Sequence, residues 1–127
     1  MIVVEQYKLE DTPSLEYKNF LLSTESSLFY YCQPYLQLLQ EHLGCKIIIL
    51  YAKISSEIVG IMPIAFCESE EGVICNSLPY YGSNGGIIVK AGEKVIMNAI
   101  RQAIYNASYD LVSKKGARSY TIISNPL

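Results

Sequence analysis

The sequence has 127 residues, and its 10 Lys and Arg against 12 Asp and Glu give a net charge of −2. This charge balance disfavours a protein whose main ligand is nucleic acid, because phosphate binding needs clustered positive charge. Apolar residues make up 50% of the chain, which excludes intrinsic disorder. A chain of this length is expected to fold as a single domain over residues 1–127.

Only 17% of the residues are charged, against about 25% in an average soluble domain. The chain also has 11 Tyr and no Trp. One interpretation is an apolar face that packs on another subunit or on a missing domain. The other is that the tyrosines cover the surface with their hydroxyl groups.

The cysteines and the chain start predict a cytoplasmic location. The first residues show no secretory signal pattern, and no stretch reaches the ~20 apolar residues of a membrane span. Cys32, Cys45, Cys67 and Cys75 show no C-x-x-C spacing. We therefore expect four reduced, mostly buried thiols and no metal site.

Apolar spacing, Pro and Gly positions and turn residues predict nine elements in the order β-α-α-β-β-β-β-α-β. This order predicts an α+β fold with a mixed, mostly antiparallel sheet flanked by helices. In chain order the elements are strand Ile2–Lys8, helix Pro13–Leu22, helix Gln33–Leu43, strands Cys45–Ile54, Ile58–Cys67 and Val73–Leu78, a strand starting at Ile87, helix Glu93–Lys115 and strand Arg118–Ser124.

Two of the helices are expected to bury broad apolar stripes. In the second helix the stripe consists of Tyr35, Leu36, Leu38, Leu39 and Leu43. In the long third helix, apolar residues at helical spacing run from Val95 and Ile96 to Leu111 and Val112. The segment Glu68–Gly72 is expected to be a charged turn.

Three stretches together resemble the GNAT acyltransferase superfamily and, more closely, the first half of a FemAB-like protein. They are Phe29–Tyr35 leading into a helix that ends at Gly44, the run Glu57–Ile64 and the segment Ser77–Gly86. The resemblance implies a GNAT-like domain that forms one of two halves of a transferase acting in bacterial cell envelope biosynthesis. Such proteins transfer an acyl or aminoacyl group to an amine of a cell-wall precursor.

The Tyr- and Gly-rich loop is the candidate substrate-binding site. Its backbone and two aromatic rings could line the edge of a cleft that accepts a sugar or peptide, and the alternative is a simple cluster of turn residues. The residues are Tyr80, Tyr81, Gly82, Ser83, Asn84, Gly85 and Gly86.

The loop Val89–Lys94 stands where the GNAT family binds the pyrophosphate of acetyl-CoA. The family has a Gln or Arg followed by closely spaced glycines there, whereas this chain has only Gly92, followed by Glu93. A carboxylate at the start of a helix would repel a pyrophosphate, and ordinary helix capping explains both residues. We therefore expect no cofactor-binding residues and no cofactor.

These observations lead to three hypotheses for function. The first is an amino-terminal half-domain of a FemAB-like acyltransferase, structural or acceptor-binding and not catalytic alone. The second is a stand-alone GNAT N-acetyltransferase that uses acetyl-CoA, and the third is a non-catalytic interaction module. The expected partner is the missing second half-domain or a second copy in a homodimer. No catalytic residue can be assigned, since the lone His42 is expected to interact with the end of its helix.

Overall fold

The computed structural model describes residues 1–24, 31–70, 72–77 and 86–122. The element order matches the predicted order, with one added 3-10 turn at Leu9–Asp11. The elements are β1 (Ile2–Lys8), α1 (Ser14–Leu22), α2 (Gln33–Leu43), β2 (Lys46–Ile54), β3 (Glu57–Ser69), β4 (Gly72–Ser77), β5 (Ile88–Val89), α3 (Lys94–Lys114) and β6 (Ala117–Ile122).

The strands form one six-stranded sheet in the order β1-β2-β3-β4-β6, and β5 also pairs with β3. Every pairing is antiparallel except that between β4 and β6, which is parallel. A parallel pair needs a crossover connection, and α3 lies in the connection between these two strands. The predicted mixed, mostly antiparallel sheet is therefore confirmed.

The hairpin of β2 and β3 is the longest pairing in the sheet. Ser55 and Ser56 form its turn with φ values of 51° and 67°, and two successive positive φ values match the twist of a tight hairpin. The pairing runs from Ile54 opposite Glu57 to Lys46 opposite Phe66, with one irregularity near Ala52. Strand β3 continues through Ser69 and β4 begins at Gly72, so the predicted charged turn at Glu68–Gly72 is wrong at Glu68, Ser69 and Gly72.

The two faces of the sheet carry separate cores. Alternate β2 residues point to opposite faces, as strand geometry requires. Helices α1 and α2 cover one face, where the buried residues include Tyr17, Phe20, Leu36, Leu39, Ile47, Ile49 and Tyr51. Helix α3 covers the other face, where they include Leu50, Ala52, Met62, Ile64, Ile100, Ile104 and Leu111.

Both helical stripes are narrower than the sequence predicts. In α2 only Leu36 and Leu39 are buried, and Leu38 is 60% exposed. In α3 burial begins at Ile100, and Val95 and Ile96 at its start are exposed. Each helix lies on one face of a single sheet, so residues outside the contacting stripe have no layer to pack against.

The expectation of four reduced cysteines is wrong, because Cys45 and Cys67 form a disulfide. Lys46 lies opposite Phe66, so the two cysteines stand directly opposite each other where the paired strands end, with Cα atoms 4.6 Å apart. Sequence spacing cannot show this proximity, because the hairpin register creates it across 22 residues. Cys32 and Cys75 are free thiols.

Gly60 on β3 allows α3 to approach the sheet closely. A Cβ atom added there would lie 2.9 Å from Cγ2 of Ile100 and 2.9 Å from Cδ1 of Ile104. Both distances are shorter than side-chain contacts allow, so with a larger residue at position 60 the Ile100 and Ile104 side chains, or the helix itself, must shift.

We predict that Gly60→Ala lowers the free energy of unfolding by about 1–3 kcal/mol, the usual cost of overpacking. Gly92→Ala is the matched control, because an added Cβ there meets no atom within 4 Å. Its effect should stay within about 0.5 kcal/mol. Urea denaturation of both variants measures the difference. Equal effects would contradict the prediction, because they would show that the packing of α3 does not require a glycine at position 60.

Candidate functional site

One edge of β3 carries two separate pairings, and the chain leaves the sheet between them. Asn76 of β4 lies opposite Ala65, and Ile88 of β5 lies opposite Ile61. Ile61 and Ala65 are four residues apart along β3, whereas their partners Ile88 and Asn76 are twelve residues apart. The segment that joins β4 to β5 therefore contains eight residues more than this stretch of β3 can pair with. The pairing along this edge of β3 is therefore interrupted between Ala65 and Ile61, and the candidate site is built around that interruption.

Gly86 is the one residue of the predicted substrate-binding loop that the structure describes. It is buried with a φ of 89°, a backbone conformation that residues with side chains rarely adopt. Tyr80, Tyr81, Gly82, Ser83, Asn84 and Gly85 lie outside the described residues. Gly86 therefore marks the point at which the loop returns to β3.

Tyr31 contacts Gly86 from the face of the sheet that α1 and α2 cover. Its hydroxyl donates to the carbonyl oxygen of Gly86 at 3.4 Å. The carbonyl oxygen of Tyr31 itself accepts a 2.5 Å hydrogen bond from the Tyr17 hydroxyl. Tyr31 is fully buried, and this burial raises its pKa. Its phenol is therefore protonated at neutral pH and remains a hydrogen-bond donor.

Tyr120 on β6 approaches the interruption from the side of α3. Its hydroxyl lies 3.8 Å from the Sδ atom of Met62, and its ring packs edge-on against Tyr109 with centroids 5.7 Å apart. Burial raises the pKa of Tyr120 to about 12. Neutral phenol groups therefore approach the middle of β3 from both faces of the sheet.

Sequence reasoning did not single out Tyr31 or Tyr120 as site residues. Tyr31 lies within the stretch Phe29–Tyr35, which carries part of the family resemblance. Tyr120 lies on a short strand, and no local pattern distinguishes it from the other tyrosines of the sequence. Their relation to Gly86 and Met62 depends on the pairing of distant strands, which no local signal shows.

The segment between β5 and α3 does not form a phosphate cradle. The backbone N–H of Lys90 donates to the carbonyl oxygen of Val59 at 2.8 Å, and the Lys90 ammonium pairs with Glu57. Gly92 has open space around it, so nothing at that position requires a glycine for close approach. Glu93 is the N-cap of α3, and its side chain makes no capping hydrogen bond.

These residues do not fit the pyrophosphate of acetyl-CoA. A cradle needs backbone N–H groups that a ligand can approach without meeting negative charge. Glu93 places a carboxylate at the helix start, and this carboxylate makes no capping hydrogen bond with the backbone of α3.

The remaining sequence candidates do not assemble into a reactive centre. His42 lies in the last turn of α2. Within residues 1–24, 31–70, 72–77 and 86–122, no group of three or more His, Cys, Asp or Glu side chains could hold a metal ion. In the same residues, no helix is both long and apolar enough to cross a membrane.

No protein family and no curated protein matches the sequence, but solved structures match the fold. A ribosomal-protein-alanine N-acetyltransferase from Brucella melitensis matches with a TM-score of 0.68 and 15% identity, over 100% of this chain and 82% of that chain. A GNAT family acetyltransferase from Staphylococcus aureus matches with a TM-score of 0.61 and 11% identity, over 97% of this chain and 86% of that chain.

An aminoglycoside acetyltransferase from an uncultured soil metagenomic sample, in complex with trehalose, also matches. Its TM-score is 0.61 at 11% identity, over 98% of this chain and 78% of that chain. At these identities the likeness concerns the fold alone. The chain therefore has the fold of the GNAT acetyltransferases.

The raised pKa of Tyr120 predicts how stability depends on pH. An unperturbed tyrosine titrates near pH 10, whereas the folded value is about 12. The fold therefore binds this proton more tightly than the unfolded chain does. Its contribution is fully present below pH about 10 and is lost as the pH rises towards about 12. Tyr120→Phe should show a shallower loss of unfolding free energy across this range, and equal slopes for the two proteins would contradict the prediction.

Proposed function

We propose that this chain is an amino-terminal, GNAT-like half-domain of a FemAB-like acyl or aminoacyltransferase. In this proposal it binds the acceptor or supports the second half, and it does not transfer an acyl group alone. The observation that carries the proposal is the start of α3, where Glu93 stands in place of a glycine cradle. A GNAT fold that cannot bind the donor's pyrophosphate could still bind an acceptor, but it would lack the site for the acyl donor.

The acceptor would lie at the interruption on β3, between the loop that ends at Gly86 and the phenol of Tyr120. Tyr31 would fix the end of the loop by its bond to the Gly86 carbonyl oxygen. Both phenols are neutral at physiological pH, as an ordinary tyrosine is, and burial raises their pKa values further. Such groups suit an uncharged or cationic acceptor better than an anionic donor, because they add no positive charge to the site.

The proposed partner is the second half-domain or a second copy of the chain. The proposed process is cell envelope biosynthesis, and the proposed location is the cytoplasm. The low content of charged residues supports a partner. So do Leu15 and Leu22 on α1 and Leu38 on α2, which are all exposed among the residues that the structure describes. An interaction module without an acceptor would use the same surface.

A stand-alone N-acetyltransferase is the second candidate function. The observation that favours it is the match to the Brucella melitensis N-acetyltransferase, which extends over all of this chain and 82% of that enzyme. This candidate requires that acetyl-CoA binds in spite of Glu93.

Titration calorimetry with acetyl-CoA separates the two candidates. We predict no saturable heat for the wild-type chain, with the Staphylococcus aureus GNAT acetyltransferase as the comparison protein in the same buffer. Glu93→Gln removes the carboxylate and should raise any residual affinity by up to roughly fivefold, the usual influence of one charge at a helix terminus. Saturable binding to the wild type, followed by acetylation of an amine, would contradict the half-domain proposal and support the stand-alone enzyme.

A further inference from the structure

A concave surface lies between α1 and the turn of the β2–β3 hairpin. It is a groove of about 490 Å³, which falls within the usual size of small-molecule sites. Lys90, which follows β5, also lines it. None of the residues that form the interruption on β3 lines this groove, so it is a separate site.

Polar side chains form both walls of the groove. Glu16, Asn19 and Ser23 lie along one side of α1, since their spacing of three and four residues places them on one face of the helix. Ser56 and Glu57 lie opposite them on the hairpin turn. The Ser23 hydroxyl already donates to the carbonyl oxygen of Phe20 at 2.7 Å, so it offers a ligand an acceptor. The Ser56 hydroxyl and the Asn19 amide can donate and accept, and the carboxylates accept.

The floor of the groove offers little apolar surface. It is formed by Phe20 and Ile58, which are only 5% and 7% exposed. An apolar ligand would bury little area against them, and the hydrophobic contribution scales with that area. A ligand of this groove must therefore be held mainly by hydrogen bonds.

The charges of the groove disfavour an anion and give a cation little advantage. The Nζ atom of Lys90 lies 2.5 Å from Oε1 of Glu57, so these two charges already compensate each other. Glu16 adds a second carboxylate, which leaves the lining with a net negative charge and disfavours phosphate-bearing ligands. Its side chain is exposed, so water and salt weaken its attraction of a cation as well as its repulsion of an anion.

We infer that this groove binds an uncharged saccharide of one or two rings. A saccharide presents many hydroxyl groups that donate and accept, which matches two walls of amide, hydroxyl and carboxylate groups. It needs no charged partner and little apolar floor. This inference goes beyond the proposed function, because it holds for any activity of the cleft on β3.

Backbone amide chemical shifts, followed by NMR during titration with N,N′-diacetylchitobiose, test the inference. We expect saturable shifts centred on α1 and on the turn at Ser55–Ser56. Asn19→Ala removes one amide at an exposed helical position and should weaken binding roughly fivefold, the effect of one net hydrogen bond. Asn98→Ala on α3 is the matched control, also exposed and helical, and should bind as the wild type does.

Glu16→Gln distinguishes a saccharide site from a cation site. The amide keeps the size and most of the hydrogen-bonding ability of the carboxylate, so chitobiose binding should persist in this variant. Spermidine and a blocked tetra-alanine peptide are titrated in parallel. The inference is overturned if chitobiose gives no saturable shifts, if Asn19→Ala and Asn98→Ala weaken binding equally, or if only spermidine or the peptide binds in the groove. Acetyl-CoA binding in the separate calorimetric test has no bearing on this result.

Discussion

Strand β3 hydrogen-bonds along both of its edges, and the rest of the structure depends on how the second edge is completed. Strand β2 pairs with it over nearly its full length, whereas β4 and β5 share the opposite edge with eight extra residues between them. Buried backbone groups need partners, and Ile88 of β5 supplies them on this edge opposite Ile61. This pairing brings Gly86 beside Tyr31, and the parallel strand β6 brings Tyr120 to Met62. The candidate site follows from this one interruption in pairing.

Local signals were sufficient for the elements but not for the contacts between them. Gly44 ends α2 in the left-handed conformation that its position in the sequence predicts, and the bounds of β1 and α2 were predicted to the residue. The disulfide between Cys45 and Cys67 was missed, because it depends on register across the hairpin. The exposure of Leu38 was missed for a related reason, since periodicity shows which residues could be buried but not how wide a surface the sheet offers. Of the predicted binding loop only Gly86 is described, so the roles of Tyr80 and Tyr81 stay predictions.

The structure also changes two arguments about function. The disulfide removes the thiol argument for a cytoplasmic location, which had depended on four reduced cysteines. Lys90 is paired with Glu57 at the groove beside α1, and Glu93 places a carboxylate at the start of α3. These carboxylates disfavour a phosphate-bearing donor at both places.

The most direct test of this account is the pairing on the second edge of β3, measured by cross-strand nuclear Overhauser effects in the labelled protein. The account predicts contacts between the backbone protons of Ala65 and Asn76 and between those of Ile61 and Ile88. A continuous hairpin, in which residues that directly follow β4 pair with Ile61, would contradict it. The loop would then be absent from the middle of β3, and the cleft proposed here would not exist.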